Sequence, residues 1–179
     1  VLWSKQLWEG SLRIHKERCI YLRHVSENIE KLWSKMPDLD SSLIDQTPIF
    51  NYEARQRECY EYDSFEQFWR SWEAKQLAKE ATLGRSLFGP HLDDFSVTFK
   101  NKKARLFASR GEQKFITFLL KAAQLLYVQD TTQDELLFLL DDVITDFDEK
   151  KLALAVHVSL SLGAQLVITA PRDNALLNL

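Results

Sequence analysis

The sequence of 179 residues contains only two cysteines, five glycines and four prolines. Cys19 and Cys59 are too few for a disulfide framework and have no metal-site spacing, so a reduced, cytoplasmic setting is expected. Apolar runs are short as well, because His157 and Gly163 interrupt the leucine-rich stretch 152–168. That stretch is therefore not a membrane span, and no contact with a membrane is expected.

A glycine-rich phosphate loop of the Gly-x-x-x-x-Gly-Lys-Ser/Thr type is also absent from the sequence. The sequence begins at Val1, in the middle of an amphipathic pattern, with no signal peptide before the first predicted helix. We therefore expect a truncated or processed piece of a longer protein.

Charged residues are unevenly distributed, although the formal net charge is only -3. Residues 100–121 carry seven Lys or Arg and one acidic residue, whereas residues 130–149 carry eight acidic residues and no basic one. The net charge does not indicate a protein that binds polyanions over its whole surface. Charge concentrated in one segment can still attract a ligand of opposite charge to a local site.

The first part of the chain is predicted to be helical. Apolar residues recur at helical spacing over residues 3–36, and a second helix is expected over residues 64–81 with Ser64 as its N-cap. A short strand is predicted at 47–52, where a proline restricts it to the edge of a sheet. Two long helices predict an antiparallel helical arm; a packing element without a function of its own is an equal alternative.

The pattern changes near Gly84. Beyond this point the sequence predicts strands at 87–88 and 95–99, a hairpin turn at 101–103, a short strand through Phe107, helix 111–128, strand 135–141, helix 148–162 and strand 164–170. Alternating helices and apolar strands are typical of an α/β fold with a parallel sheet covered by helices. The expected division is a helical arm over 1–82 and an α/β lobe over 83–179.

An apolar run over residues 136–140 ends in two carboxylates, Asp141 and Asp142. In open α/β sheets, ligands bind beyond the carboxyl ends of the strands. Magnesium takes one or two protein carboxylates together with phosphate oxygens and water. One carboxylate can then hold the metal ion while the other orients or deprotonates an attacking water. The alternative is an ordinary acidic turn at the end of a strand.

The segment Ser109-Arg110-Gly111-Glu112-Gln113 opens the predicted helix 111–128. Serine at the N-cap with glutamate three residues later is a capping box, which requires no ligand. A helix N-terminus with a nearby glycine also binds phosphate, and a basic hairpin precedes this one. The segment alone does not decide between the two interpretations.

Two further segments carry candidate residues. Thr145-Asp146-Phe147-Asp148 follows the acidic pair, and Asp148 is expected to cap the next helix. Gly89-Pro90-His91-Leu92-Asp93-Asp94 places a histidine beside two carboxylates, which is a candidate metal site. The turn-forming residues of this segment account for it without a metal.

Taken in their order, these segments resemble the C-terminal half of the RecF family, bacterial recombination mediators built on an ABC-type ATPase head similar to that of SMC proteins. The segments that carry the resemblance are 89–94, 107–113, 136–148 and 166–169. The resemblance is strongest over 83–170, and it is weaker over 1–80, which is similar to the arm subdomain inserted between the halves of that head. The implied fold class is α/β: the C-terminal lobe of an ABC-type ATPase head plus an α-helical arm subdomain.

The resemblance also implies a role for each motif. Asp141 would be the Walker B carboxylate on Mg²⁺, and Asp142 the catalytic acidic residue beside it. Residues 109–113 would be the signature motif, which contacts the ATP bound by the partner head. Residues 145–148 would be the D-loop, which crosses the dimer interface.

The sequence departs from the family pattern at three places. Leu92 stands where the family commonly has arginine. Asp146-Phe147 replaces the usual Glu-Leu of the D-loop, and Ala170-Pro171 stands where a polar switch residue is expected.

The function implied by the resemblance is ATP-controlled dimerisation of heads on DNA at junctions of single and double strands, alongside recombination mediator proteins. The implied setting is DNA replication, recombination and repair, including the SOS response. ATP hydrolysis is expected only of the full-length protein, because ATP and Mg²⁺ both require the missing N-terminal half.

Basic residues of the arm and the hairpin are expected to contact DNA phosphates without sequence preference; they are Arg13, Lys16, Arg23, Lys102 and Lys103. Two alternatives to a RecF-like mediator remain at this point. One is a non-catalytic module that binds DNA or protein, and the other is a related SMC-like ATPase head with a different task.

Overall fold

The computed structural model describes residues 2–36, 47–132, 134–141 and 147–169. The helices are α1 (Leu2–Ser34), α2 (Phe65–Leu83), α3 (Ala104–Phe107), α4 (Arg110–Thr132) and α5 (Glu149–Ser161), with a 3-10 helix at Arg57–Tyr60. The strands are β1 (Ile49–Glu53), β2 (Asp94–Phe99), β3 (Lys102–Lys103), β4 (Leu137–Leu140) and β5 (Gln165–Ile168). The long helices and the alternation after residue 110 were predicted.

The chain forms two compact units, each built from two segments. The first unit comprises Val1–Leu22 and Asn51–Ser96, and the second comprises Arg23–Phe50 and Val97–Leu179. The sequence predicts a division by function, into an arm over 1–82 and an ATPase lobe over 83–179. The compact units do not test that division, which stays a prediction.

An aromatic cluster forms the core of the first unit. The Trp8 ring stacks on Phe68 at a centroid distance of 5.8 Å, and its indole nitrogen donates a hydrogen bond of 2.8 Å to the Cys59 carbonyl. α2 begins as predicted, since the Ser64 hydroxyl accepts a hydrogen bond from the Gln67 amide. It ends at Gly84, whose φ of 63° is the left-handed conformation that glycine adopts at helix ends.

The strand predicted at residues 87–88 is wrong. Phe88 is buried, and its ring packs against Phe68 and Trp72 at centroid distances of 4.8 and 5.2 Å. The Leu87 amide donates to a carboxylate oxygen of Glu80 at 2.7 Å. This backbone group is therefore satisfied by a side chain and requires no neighbouring strand.

Strands β1, β2 and β3 form a sheet in that order, so β1 lies at an edge as predicted. β2 and β3 are antiparallel, with Phe99 opposite Lys102. Lys100 and Asn101 between them have φ values of 53° and 56°, which is the geometry of a tight two-residue hairpin turn. The predicted continuation of the strand through Phe107 is wrong, because the chain turns into α3 directly after β3.

The second unit contains the parallel pair β4–β5, with Leu137 opposite Gln165 and Leu140 opposite Ile168. A parallel pair requires a crossover, and α5 lies in that connection. α4 buries one face, on which Phe118 packs against Phe138 of β4 at 6.0 Å between ring centroids. The parallel sheet with helical crossover was predicted. Within the described ranges, no helix is long and apolar enough to span a membrane.

Candidate functional site

The segment 109–113, which resembles a signature motif, forms the beginning of α4. The Glu112 amide donates to the Ser109 hydroxyl at 3.2 Å, and the Ser109 amide donates to the Glu112 carboxylate at 2.8 Å. This reciprocal pair is a capping box, as the spacing predicted. Gln113 adds a hydrogen bond of 2.8 Å from its side-chain amide to the Ala108 carbonyl. Ser109 and Arg110 remain exposed at this end of the helix.

Glu112 also connects the helix to the basic hairpin. Its carboxylate accepts a hydrogen bond of 2.7 Å from the Lys100 ammonium group. The bond to Lys100, followed by the bonds to Ser109, lowers the pKa of Glu112 below its usual value. The hairpin turn is therefore fixed to the start of α4 by a charge-assisted hydrogen bond.

Asp141 lies directly beyond the carboxyl end of β4 and is exposed. Its Oδ1 accepts a hydrogen bond of 2.6 Å from the hydroxyl of Thr169, which follows β5. The Thr169 amide in turn donates to the Leu140 carbonyl at 2.9 Å. The carboxylate is thus oriented by a residue from the neighbouring strand, at the edge of the sheet where ligands of α/β proteins bind.

This donor set fits magnesium, which uses one or two protein carboxylates and retains several water molecules. Asp141 provides one exposed carboxylate with one oxygen oriented by Thr169. Asp142, the predicted catalytic residue, lies outside the described residues, as do Thr145 and Asp146 of the predicted D-loop. Among the described residues, no three histidine, cysteine or acidic side chains cluster to form a complete metal site.

The remaining D-loop residues have structural contacts. The Phe147 ring packs edge-on against Phe115 of α4 at 5.9 Å. Asp148 caps α5 by accepting a hydrogen bond of 2.8 Å from the Lys151 amide, and it also pairs with the Lys151 ammonium group. These interactions lower the pKa of Asp148. The predicted N-cap is confirmed, and the role at a dimer interface stays a prediction.

An open cleft of about 840 Å³ lies between α4 and β4. We call it the α4–β4 cleft; its lining residues are Arg110, Gln113, Lys114, Thr117, Phe118, Lys121, Leu125 and Phe138–Asp141. Arg110 and Gln113 of the segment 109–113 line this cleft together with Asp141. Ser109, Gly111 and Glu112 are not among its lining residues.

The turn at residues 89–94 has a structural explanation. Asp93 accepts hydrogen bonds from the Tyr52 hydroxyl at 2.7 Å, the Tyr60 hydroxyl at 2.5 Å and the Arg55 amide at 2.9 Å. Arg18 donates to the carbonyl of Pro90 at 2.5 Å. Asp93 therefore anchors the turn, and nothing in these contacts supports a metal site there.

The basic residues predicted to contact DNA are exposed. Arg13 and Lys16 lie on the part of α1 that belongs to the first unit, and Arg23 on the part that belongs to the second. Lys102 and Lys103 form β3. Sequence reasoning missed Arg18, whose position on α1 gave no sign of its bond to the turn. It also missed Thr169 as the partner of Asp141, although both follow strands predicted to be neighbours.

The chain is similar in sequence to curated RecF proteins. The "DNA replication and repair protein RecF" of Chloroherpeton thalassium is 27% identical over 179 residues, which cover 97% of this chain and 47% of that protein. RecF of Moorella thermoacetica is 37% identical over 99 residues, or 55% of this chain and 24% of that protein. No family model matches the chain.

Solved structures share the fold. The recombination mediator protein RecF-ATP of the RecFOR pathway superimposes with a TM-score of 0.70 and 20% identity, over 97% of this chain and 45% of that one. RecF-ATPrS of the same pathway gives a TM-score of 0.69 and 19% identity over 96% of this chain. The RecF-like α/β fold is thus confirmed. The chain spans about half the length of the relatives that it matches.

Proposed function

We propose that this chain, which is similar to RecF-type DNA replication and repair proteins, corresponds to their C-terminal part and serves within a RecF-like recombination mediator that binds DNA and uses ATP binding and hydrolysis to control dimerisation of its heads. One observation carries the proposal. The second unit presents Ser109 and Asp141, both exposed, at the start of α4 and at the carboxyl end of β4. By the resemblance described above, these positions correspond to those from which an ABC-type head contacts nucleotide.

The proposed roles follow the motif order. Asp141, oriented by Thr169, would hold Mg²⁺, and Asp142 would act as the catalytic acidic residue on the attacking water. The segment 109–113 contacts the nucleotide held by a second head, where the N-terminal end of α4 favours negative charge. The D-loop residues 145–148 cross between the two heads. The two heads would associate around bound ATP and separate after its hydrolysis.

One face of β4 is exposed, which supports the proposal that another part of a longer protein packs against it. Leu137 and Leu139 are 51% and 62% exposed, whereas Phe138 and Leu140 on the opposite face are buried. Parallel sheets normally have both faces covered, and the described residues supply two strands to this sheet, which are few for a stable one. We propose that the part of a RecF-like protein not represented in this chain covers that face and supplies the phosphate loop.

The proposed setting is bacterial DNA replication, recombination and repair in the cytoplasm, including the SOS response, together with other recombination mediator proteins. DNA binding is proposed to use phosphates and the basic residues of α1 and β3. Such contacts weaken as salt concentration rises, since binding releases counterions from the DNA.

The test uses a RecF-like protein that contains this chain and a phosphate loop. Asp142→Asn should retain ATP binding, abolish most hydrolysis and accumulate an ATP-bound dimer, which light scattering after size-exclusion chromatography detects. Glu135→Gln, which alters an exposed carboxylate just before β4, is the control and should behave like the unaltered protein. Undiminished hydrolysis in Asp142→Asn would remove Asp142 from the mechanism.

A second candidate is a non-catalytic module that binds DNA. The observation that favours it is the exposed basic hairpin around β3. The two candidates differ in one measurable respect: only the ATPase predicts that ATP changes the oligomeric state of the longer protein.

A further inference from the structure

The short helix α3, between the basic hairpin and the capping box, exposes apolar side chains next to the cations of the hairpin. Phe107 and Leu106 are 65% and 70% exposed, although both are large and apolar. The ammonium group of Lys102 lies over the Phe107 ring, 5.3 Å from the ring centroid. Proteins that bind single-stranded nucleic acid combine exposed aromatic rings with neighbouring cations in this way.

The backbone around Phe107 is held in place. The tight turn at Lys100 and Asn101 fixes the register of β2 and β3. Lys100 bonds to Glu112 of α4 at 2.7 Å, and the Ala108 amide closes α3 by donating to the Ala104 carbonyl at 3.0 Å. Ala104 itself is buried. The ring is therefore presented on a preorganised scaffold, which reduces the entropy lost on binding.

From this arrangement we infer that Phe107 stacks on an unpaired DNA base while Lys102 contacts an adjoining phosphate. The inference rests on the DNA binding proposed above and specifies the structure recognised: a single strand, or the single-stranded arm of a junction. A base inside a duplex has both faces covered by its neighbours, so a protruding ring has no free face to meet there.

Charge favours DNA over a protein partner with an apolar surface. Residues 100–121 carry seven basic residues and one acidic residue, and Lys100 pairs with that acidic residue, Glu112. An apolar surface placed against Phe107 would also cover the Lys102 ammonium group, which is costly without a compensating charge. A phosphate beside the stacked base supplies that charge.

The experiment measures the affinity of this chain for a fluorescently labelled single strand and for the duplex of the same sequence, by fluorescence anisotropy. Phe107→Ala should weaken single-strand binding about tenfold, since stacking of one base is lost, and duplex binding less than about twofold. Phe107→Trp should keep the affinity. Lys102→Ala should weaken binding of both DNAs and flatten their salt dependence.

Phe95→Ala is the matched control, because Phe95 is an aromatic residue of β2 with 47% exposure. It should leave both affinities unchanged, and thermal unfolding should confirm that each variant is folded. Equal losses for single strand and duplex in Phe107→Ala, or no loss, would overturn the stacking role while leaving phosphate binding intact. Loss of self-association in Phe107→Ala would identify the ring as an interface between copies and also overturn it. Failure of the unaltered chain to bind either DNA at low salt would overturn the proposed DNA binding itself.

Discussion

The hydroxyl of Thr169 donates a hydrogen bond of 2.6 Å to Oδ1 of Asp141, joining the residues that follow two neighbouring parallel strands. The bond holds an exposed carboxylate in one orientation beside the backbone of both strand ends. A metal ligand held in this way loses less conformational entropy when the ion binds.

Replacement of Thr169 by valine tests this role. In a RecF-like protein with a phosphate loop, Thr169→Val should weaken Mg²⁺ binding by about tenfold, the lower end of the effect of removing a ligand's hydrogen-bond partner. The free energy of unfolding of the chain should change by less than about 1 kcal/mol, because both groups are exposed. Thr169→Ser keeps the hydroxyl and should bind Mg²⁺ normally. Equal Mg²⁺ titrations for the valine and serine variants would show that the bond does not serve the metal.

The capping box at the start of α4 gives a prediction of pH dependence. The pKa of Glu112 is lowered in the folded chain, so its contribution to stability is present above its ordinary value of 4.5 and is lost as the pH falls below it. Glu112→Gln keeps a capping side chain but removes the charge that binds Lys100. We expect a loss of about 1 kcal/mol at neutral pH and almost none in acid.

Chemical denaturation at several pH values measures this difference. Glu135→Gln serves as the control, since Glu135 is exposed and lies outside any helix or strand. A constant difference between Glu112→Gln and the unaltered chain from neutral to acid pH would contradict the assigned role of the charge.

The capping box and the two N-caps were predictable because their partners lie three residues apart. Ser109 with Glu112, Ser64 with Gln67, and Asp148 with Lys151 are all local pairs. A helix start of this kind depends on nearby side chains, so the sequence pattern is sufficient to locate it.

Other features depend on distant residues and were missed. Phe88 looks like part of a strand, but its place is set by α2 residues, with rings against it and the Glu80 carboxylate on the neighbouring amide. Asp93 is a candidate metal ligand in the sequence because it lies near His91 and beside Asp94. Its hydrogen-bond partners Tyr52 and Tyr60 lie 41 and 33 positions away. Thr169 is 28 positions from Asp141. No local pattern contains such pairings.

The Asp93 anchor predicts behaviour at high pH. Burial, followed by the hydrogen bond to Asp93, raises the pKa of Tyr52 to about 12, and the same causes raise that of Tyr60. The folded chain thus keeps both phenols protonated above the ordinary value of 10.0, and this contribution to stability is lost as the pH rises beyond 10.0.

Asp93→Asn removes the negative charge that favours the neutral phenols. Ultraviolet absorbance should then show these tyrosines ionising at lower pH, and unfolding should cost about 1 to 3 kcal/mol less, since hydrogen bonds to a charged group are lost. Asp94→Asn alters the neighbouring exposed residue and is the control. Identical alkaline titrations for the two variants would contradict the anchor.

The two faces of β4 differ in burial among the described residues, and this difference tests the proposed covering layer. Leu139 is 62% exposed, whereas the side chain of Leu140 is buried on the opposite face. Leu140→Ala should destabilise the chain by about 2 to 5 kcal/mol, the range for truncating a buried leucine. Leu139→Lys should change the stability of the isolated chain by less than about 0.5 kcal/mol, because its site is already exposed to water. In a RecF-like protein with a phosphate loop, the same lysine should lower the melting temperature, since the covering layer would bury its charge. A longer protein that tolerates Leu139→Lys as well as the isolated chain does would leave this face of β4 uncovered and would contradict the proposed covering layer.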